Sequence, residues 1–153
     1  MDVFKEGRGT LSGLEMLQAM VAAGRRPPIF ETMHVEWGEI ERGRAVVRST
    51  PGPHANNPMG VMHGGFAATL LDSCCGIATH SCLDSTQGDT TLEIKVAYHR
   101  AITVDTGPVE AEGKVLTIGR RVAFAEGRLV DAQGRLLASA TSTLLVYELR
   151  QDQ

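Results

Sequence analysis

The chain has 153 residues, of which 42 % are apolar and 22 % charged; this is the size of one domain with one core, and the balance excludes a disordered or fibrous architecture. A formal net charge of -3, with the basic residues spread along the chain, leaves no electrostatic footprint for nucleic acid. No stretch reaches the roughly 18 uninterrupted apolar residues of a membrane span, Met1 to Gly7 hold no signal-peptide core, and Cys74, Cys75 and Cys82 make an odd disulfide set, so one cytoplasmic domain is expected over 1–153, its core within about 30–148.

The first expected element is a helix over roughly 12–24. Ser12 and Glu15 match a capping box, Leu14, Leu17 and Val21 form an apolar stripe, and Gly24 with Pro27-Pro28 ends it. Extended segments at roughly 32–41 and 43–50, separated at Arg42-Gly43, read as a hairpin. Residues 51–60, rich in Pro, Gly and Asn, form a long loop. Roughly 64–83 is a single helix in which Ala67, Leu70, Leu71, Cys74, Cys75, Ile77 and Ala78 cover most of the circumference, so it is buried. Four strands follow: Thr90 to Ala101, Val109 to Ile118, Arg121 to Asp131 and Leu136 to Glu148. In the first, Leu92, Ile94, Val96 and Tyr98 alternate with Thr91, Glu93, Lys95 and Ala97, which places the former set on the core. Turn-length links rule out parallel crossovers, and the order indicates α+β, a buried helix wrapped by a curved antiparallel sheet.

The segment from Asn57 to Asp72 carries the chemistry. His63-Gly64-Gly65 opens the buried helix, where unpaired backbone N–H groups and the helix dipole favour an oxyanion, and both glycines can supply donors. Asp72 is a carboxylate among apolar neighbours in mid-helix, and such a group has a partner or a task. His63 and Asp72 are nine residues apart, on opposite sides of a common helix at about 100° per residue. Two subunits could present them to one pocket where a single helix could not.

Asn57, then His63-Gly64-Gly65, then Asp72 resembles the signature of the hotdog-fold acyl-CoA thioesterases of the phenylacetate-degradation type, within the 4-hydroxybenzoyl-CoA thioesterase superfamily, and the order of elements extends the match over most of the chain. The resemblance implies that the Gly64 N–H polarises a thioester carbonyl while Asp72 of a partner subunit activates water or attacks directly. Asn57 would position that water or the carbonyl, and His63 would hold the loop or assist the thioester. A strand hydroxyl touching the carboxylate aligns with Thr91, although strand parity favours Thr90, which shares the face of Leu92 and Ile94. The resemblance further implies a homodimer or homotetramer with sites at subunit interfaces, acyl-CoA as substrate (aryl-acetyl or medium-chain), and no cofactor beyond the CoA of the substrate itself.

Arg120 and Arg121, or Arg100, could receive CoA phosphates. No CxxC, HxxxH or HExxH spacing supports a metal, and the adjacent Cys74 and Cys75 should point apart as core residues. His54 could border the pocket, whereas His34, His80 and His99 receive no role. The rival functions are a non-catalytic acyl-CoA-binding module and a hotdog dehydratase or hydratase.

Overall fold

A computed structural model describes residues 7–149. Ser12 and Glu15 form the expected reciprocal capping box on helix α1 (Gly13–Ala22). Its buried face is rotated from the expected one: Leu17 is buried as expected, together with Gly13, Met16 and Met20, whereas Leu14 is half-buried and Val21 is 40 % exposed. Gly13 sets this rotation, because it sits on the end of the central helix where a Cβ would lie 1.8 Å from the His80 carbonyl oxygen. Pro28 then opens a short helix, α2 (Pro28–Thr32), at the first-turn position where its missing N–H is not needed. Strand β1 (Val35–Glu41) therefore begins later than the expected residue 32.

β1 pairs with β2 (Arg44–Ser49) as the expected hairpin, turning through Gly43 in the left-handed conformation at φ 78°. The following loop holds a 3-10 turn at Pro53–Ala55 and an isolated antiparallel bridge between Asn56 and Met62. Helix α3 (Gly64–His80) comes next, then β3 (Gln87–Tyr98), β4 (Val109–Ile118), β5 (Val122–Asp131) and β6 (Leu136–Glu148). The strands form one antiparallel sheet in the order β1-β2-β4-β5-β6-β3, leaving β1 and β3 at its edges.

Helix α3 packs on this sheet, contributing the large side chains Phe66, Leu70 and Leu71. The sheet offers small residues in return, among them Ala111, Ala125 and Ala138, and this lets the helix backbone come close. The approach is tightest at Gly113 of β4, where a Cβ would be 2.4 Å from the Cys74 carbonyl group. Cys74 and Cys75 are fully buried, but they do not point apart: both sulfurs lie beside Gly127 of β5.

Strand β3 departs from simple alternation. Its register against β6 shifts between Thr91 and Glu93, which makes Leu92 the extra residue of a β-bulge. Before the bulge, Asp89 and Thr91 reach α3; after it, Ile94 and Val96 pack on the core. Leu92 and Tyr98, expected on the core face, are 58 % and 54 % exposed.

Candidate active site

The loop before α3 is shaped by Asn57. Its Oδ1 accepts hydrogen bonds from the N–H groups of Met59 (3.0 Å) and Val61 (3.1 Å), and its backbone N–H donates to the Val61 carbonyl at 2.7 Å. The Asn57 side-chain oxygen is thus committed to closing the loop, which leaves the Nδ2 amide to face anything else. Val61 and Met62 then lead into His63, the N-cap of α3, whose Nδ1 accepts from Gly65 N–H at 2.8 Å.

This cap separates the two glycines. Gly65 spends its N–H on His63, whereas Gly64 N–H makes no hydrogen bond among the described residues. Of the two expected donors, one remains. Gly64 is also fixed through its carbonyl, which accepts from the Tyr98 hydroxyl at 2.5 Å. A cavity of about 310 Å³ opens here, lined by His63, Gly64, Ala67, Tyr98 and Arg100.

Asp72 lies two turns further along α3, half-buried, and its Oδ1 accepts from the Thr91 hydroxyl at 2.9 Å. The bulge at Leu92 resolves the conflict between alignment and parity. Counting back from Tyr98 by twos fails because one residue of β3 is supernumerary, so Thr91 turns inward and Thr90 is exposed. Asp72 and Thr91 line a second, larger cavity of about 370 Å³ between α1, α3 and β3. Gly64 and Asp72 are separated by eight residues, roughly 12 Å along the helix axis, and they open on different cavities.

The other candidates fall away from this pair. Arg120 and Arg121 are exposed on the β4–β5 turn and line neither cavity, while Arg100 stands at the Gly64 cavity. His54 stacks on His34 with ring centroids 3.9 Å apart and borders neither cavity. Contact with Cys75 and burial hold the Cys74 thiol well above its ordinary value, so it does not supply a thiolate. One pair was not anticipated: His80 Nδ1 lies 2.8 Å from Asp89 Oδ1 inside the larger cavity. Its only trace in the sequence is the spacing of Asp72, Gly76 and His80 along one helical stripe.

Residues 59–138, which include Gly64, Asp72 and Thr91, match the model of the thioesterase superfamily. The chain belongs to that superfamily. Over 122 residues this thioesterase is 33 % identical to a Saccharolobus solfataricus relative whose name proposes an esterase activity, covering 80 % of this chain and 85 % of the relative. It is 27 % identical over 121 residues to a 1,4-dihydroxy-2-naphthoyl-CoA hydrolase of Listeria monocytogenes, covering 79 % and 97 %. Among solved structures it is similar to a mutant form of the phenylacetic acid degradation protein PaaI of Thermus thermophilus, with a TM-score of 0.70 and 26 % identity, covering 78 % and 98 %. The α+β architecture is that of the hotdog fold, and the chain is a thioester hydrolase.

Thioester hydrolysis requires a donor for the developing oxyanion and a group that activates water or attacks the carbonyl carbon. Helix α3 of this thioesterase begins with an N–H that has no intrahelical acceptor and carries at its middle a carboxylate that accepts from the Thr91 hydroxyl.

Proposed function

We propose that this protein hydrolyses acyl-CoA thioesters at sites built by two copies of the chain, with Gly64 N–H of one copy polarising the carbonyl and Asp72 of the other acting as general base or nucleophile. The observation that carries this reading is the separation of the two groups. Both must come within about 3 Å of one reacting thioester, yet one helix holds them roughly 12 Å apart. A second copy supplies the missing half, in a homodimer or a homotetramer.

In the general-base form, Asp72 Oδ2 takes a proton from water as the water oxygen bonds to the carbonyl carbon. The tetrahedral oxyanion is held by Gly64 N–H and by the positive end of the α3 dipole. Its collapse breaks the C–S bond, and the CoA thiolate leaves and is protonated. In the nucleophilic form Oδ2 itself attacks the carbonyl carbon and the CoA thiolate is expelled, giving a mixed anhydride that water cleaves to the free acid and the Asp72 carboxylate. Thr91 donates to Oδ1 in both forms and so aims Oδ2. His63 and Asn57 act through the loop and the cap. CoA enters with the substrate, and no metal or prosthetic group takes part. The Listeria relative's name supports a CoA thioester of a bulky aryl acid as one substrate type.

The deciding experiment is free-thiol release from short-chain, medium-chain and aryl acyl-CoAs by wild type and Asp72→Asn. Turnover by wild type, with a loss of at least about a thousandfold in the folded variant, is expected. Comparable rates in the two proteins would remove Asp72 from the mechanism, and no release from any thioester would leave an acyl-CoA-binding module.

A further inference from the structure

Two rungs join α3 to β3 across the larger cavity. Asp72–Thr91 is one, and His80–Asp89, with Nδ1 and Oδ1 at 2.8 Å, is the other. On the strand the rungs are two residues apart, roughly 7 Å. On the helix Gly76 lies between them, and a Cβ added there would meet no atom of the described residues within 4 Å. The space between the rungs is therefore an open slot.

The N-terminal segment, outside the residues that match the superfamily model, roofs this slot with Met16, Leu17, Met20 and Phe30. The roof is clamped at both ends. Gly13 N–H donates to the Leu83 carbonyl at 3.0 Å, and Trp37 Nε1–H donates to the Arg25 carbonyl at 2.8 Å while its ring packs on Phe30. An apolar roof over a slot with a hydrogen-bonding group at each end has the composition of a ligand pocket.

The distal rung determines what such a ligand must carry. His80 Nδ1 and Asp89 Oδ1 are hydrogen-bonded to each other, which leaves the second carboxyl oxygen of Asp89 for a ligand. The Asp89 side chain is 11 % exposed, and its Oδ2 makes no hydrogen bond among the described residues. An acceptor in this position is satisfied by a ligand hydroxyl and left desolvated by a methyl group or an ether.

We propose that this slot holds the acyl group, and that Asp89, held by His80, selects acyl groups bearing a hydroxyl at the end far from the thioester. This inference rests on the hydrolase reading and adds to it a specificity pair and a roof outside the matched domain.

The test uses acyl-CoA sets identical except for the distal group (hydroxyl, hydrogen or methyl ether), one set on a ring and one on a straight chain. Wild type should favour the hydroxyl over hydrogen by about tenfold or more in kcat/KM in at least one set, with the ether poorest. In Asp89→Leu that ratio should fall to one or below, and Met20→Trp, which fills the slot from the roof, should raise KM for both. Binding of the same thioesters to Asp72→Asn reads the pocket without turnover. Equal wild-type rates for hydroxyl and hydrogen in both sets would overturn the specificity pair and leave the hydrolase intact. Preferential binding of the hydroxyl form without hydrolysis would overturn the reaction and retain the pocket, and neither turnover nor preference would overturn both.

Discussion

The Thr91 hydroxyl reaches Asp72 Oδ1 at 2.9 Å because β3 carries one residue too many just after it. The bulge at Leu92 reverses the parity of the strand, so the residues before it serve the cavity and those after it serve the core. Removing the hydroxyl while keeping the shape isolates this bond. A hydrogen bond to a charged group is worth about 1.5–3 kcal/mol, so Thr91→Val should lower kcat/KM for acyl-CoA hydrolysis by about 10- to 100-fold. Thr91→Ser should restore most of it in the same assay.

Gly64 permits a deletion of its N–H that needs only a small shift of one side chain, because an added Cβ would stand 3.1 Å from the Tyr98 hydroxyl. It is the first residue of α3, where proline is tolerated, and His63 before it has ψ 134°, the extended conformation that a following proline requires. Gly64→Pro therefore removes the N–H and spares the helix. If that N–H holds the oxyanion, kcat should fall by about 10²- to 10³-fold while circular dichroism and oligomer size stay as in wild type. A kcat within a few-fold of wild type would move the oxyanion site elsewhere.

A site shared between two copies makes a distinct forecast for mixtures. Asp72→Asn and Gly64→Pro should each be nearly inactive alone. Unfolding and refolding them together in equal amounts should restore about a quarter of the wild-type sites, because half of the pairs are mixed and each mixed pair has one intact site of its two. A site drawn from a single chain would give no recovery in thiol release.

Stability in acid should depend on Asp131, at the end of β5. Burial opposes its charge, but the N–H groups of Arg135 and Gln133 and the Arg135 guanidinium outweigh that and hold its carboxyl below the usual aspartate value. A depressed folded-state value contributes stability that is complete above the unfolded value, about 3.9, and is lost as pH falls through the folded one. Asp131→Asn should therefore lower Tm at neutral pH, and the gap to wild type should close as the pH is taken below that range.

Much of this architecture was legible in the sequence where one physical rule acts alone. Val109–Ile118 and Leu136–Glu148 appear at their expected bounds because alternation and turn residues agree there. The capping box of Ser12 and the mid-helix Asp72 were equally plain. What escaped depends on contacts distant in the chain. The rotation of α1 follows from Gly13 meeting the His80 carbonyl, the inward turn of Thr91 from a bulge defined against β6, and the His80–Asp89 rung from the docking of α3 on β3. The fate of Gly65 N–H, taken by His63, is a side-chain rotamer that no periodicity encodes.

Two glycines, one on β4 against α3 and one on α3 at the larger cavity, should respond to alanine in opposite directions. At Gly113 the added Cβ would fall 2.4 Å from the backbone carbon and oxygen of Cys74, and 2.7 Å from Cys75 N, so no side chain can swing aside to admit it. Overpacking against backbone belongs at the upper end of the usual range, about 3 kcal/mol or more, which corresponds to about 6–12 °C in Tm at this chain length. At Gly76 the Cβ meets no atom of the described residues within 4 Å, and exchanging a mid-helix glycine for alanine should stabilise by about 0.5–1 kcal/mol. That methyl group enters the slot between the two rungs. Gly76→Ala should therefore raise Tm in differential scanning calorimetry while raising KM for bulky acyl-CoAs, so that α3 retains a glycine there at the expense of its own stability. A Tm gain with unchanged KM would place the acyl group outside the slot.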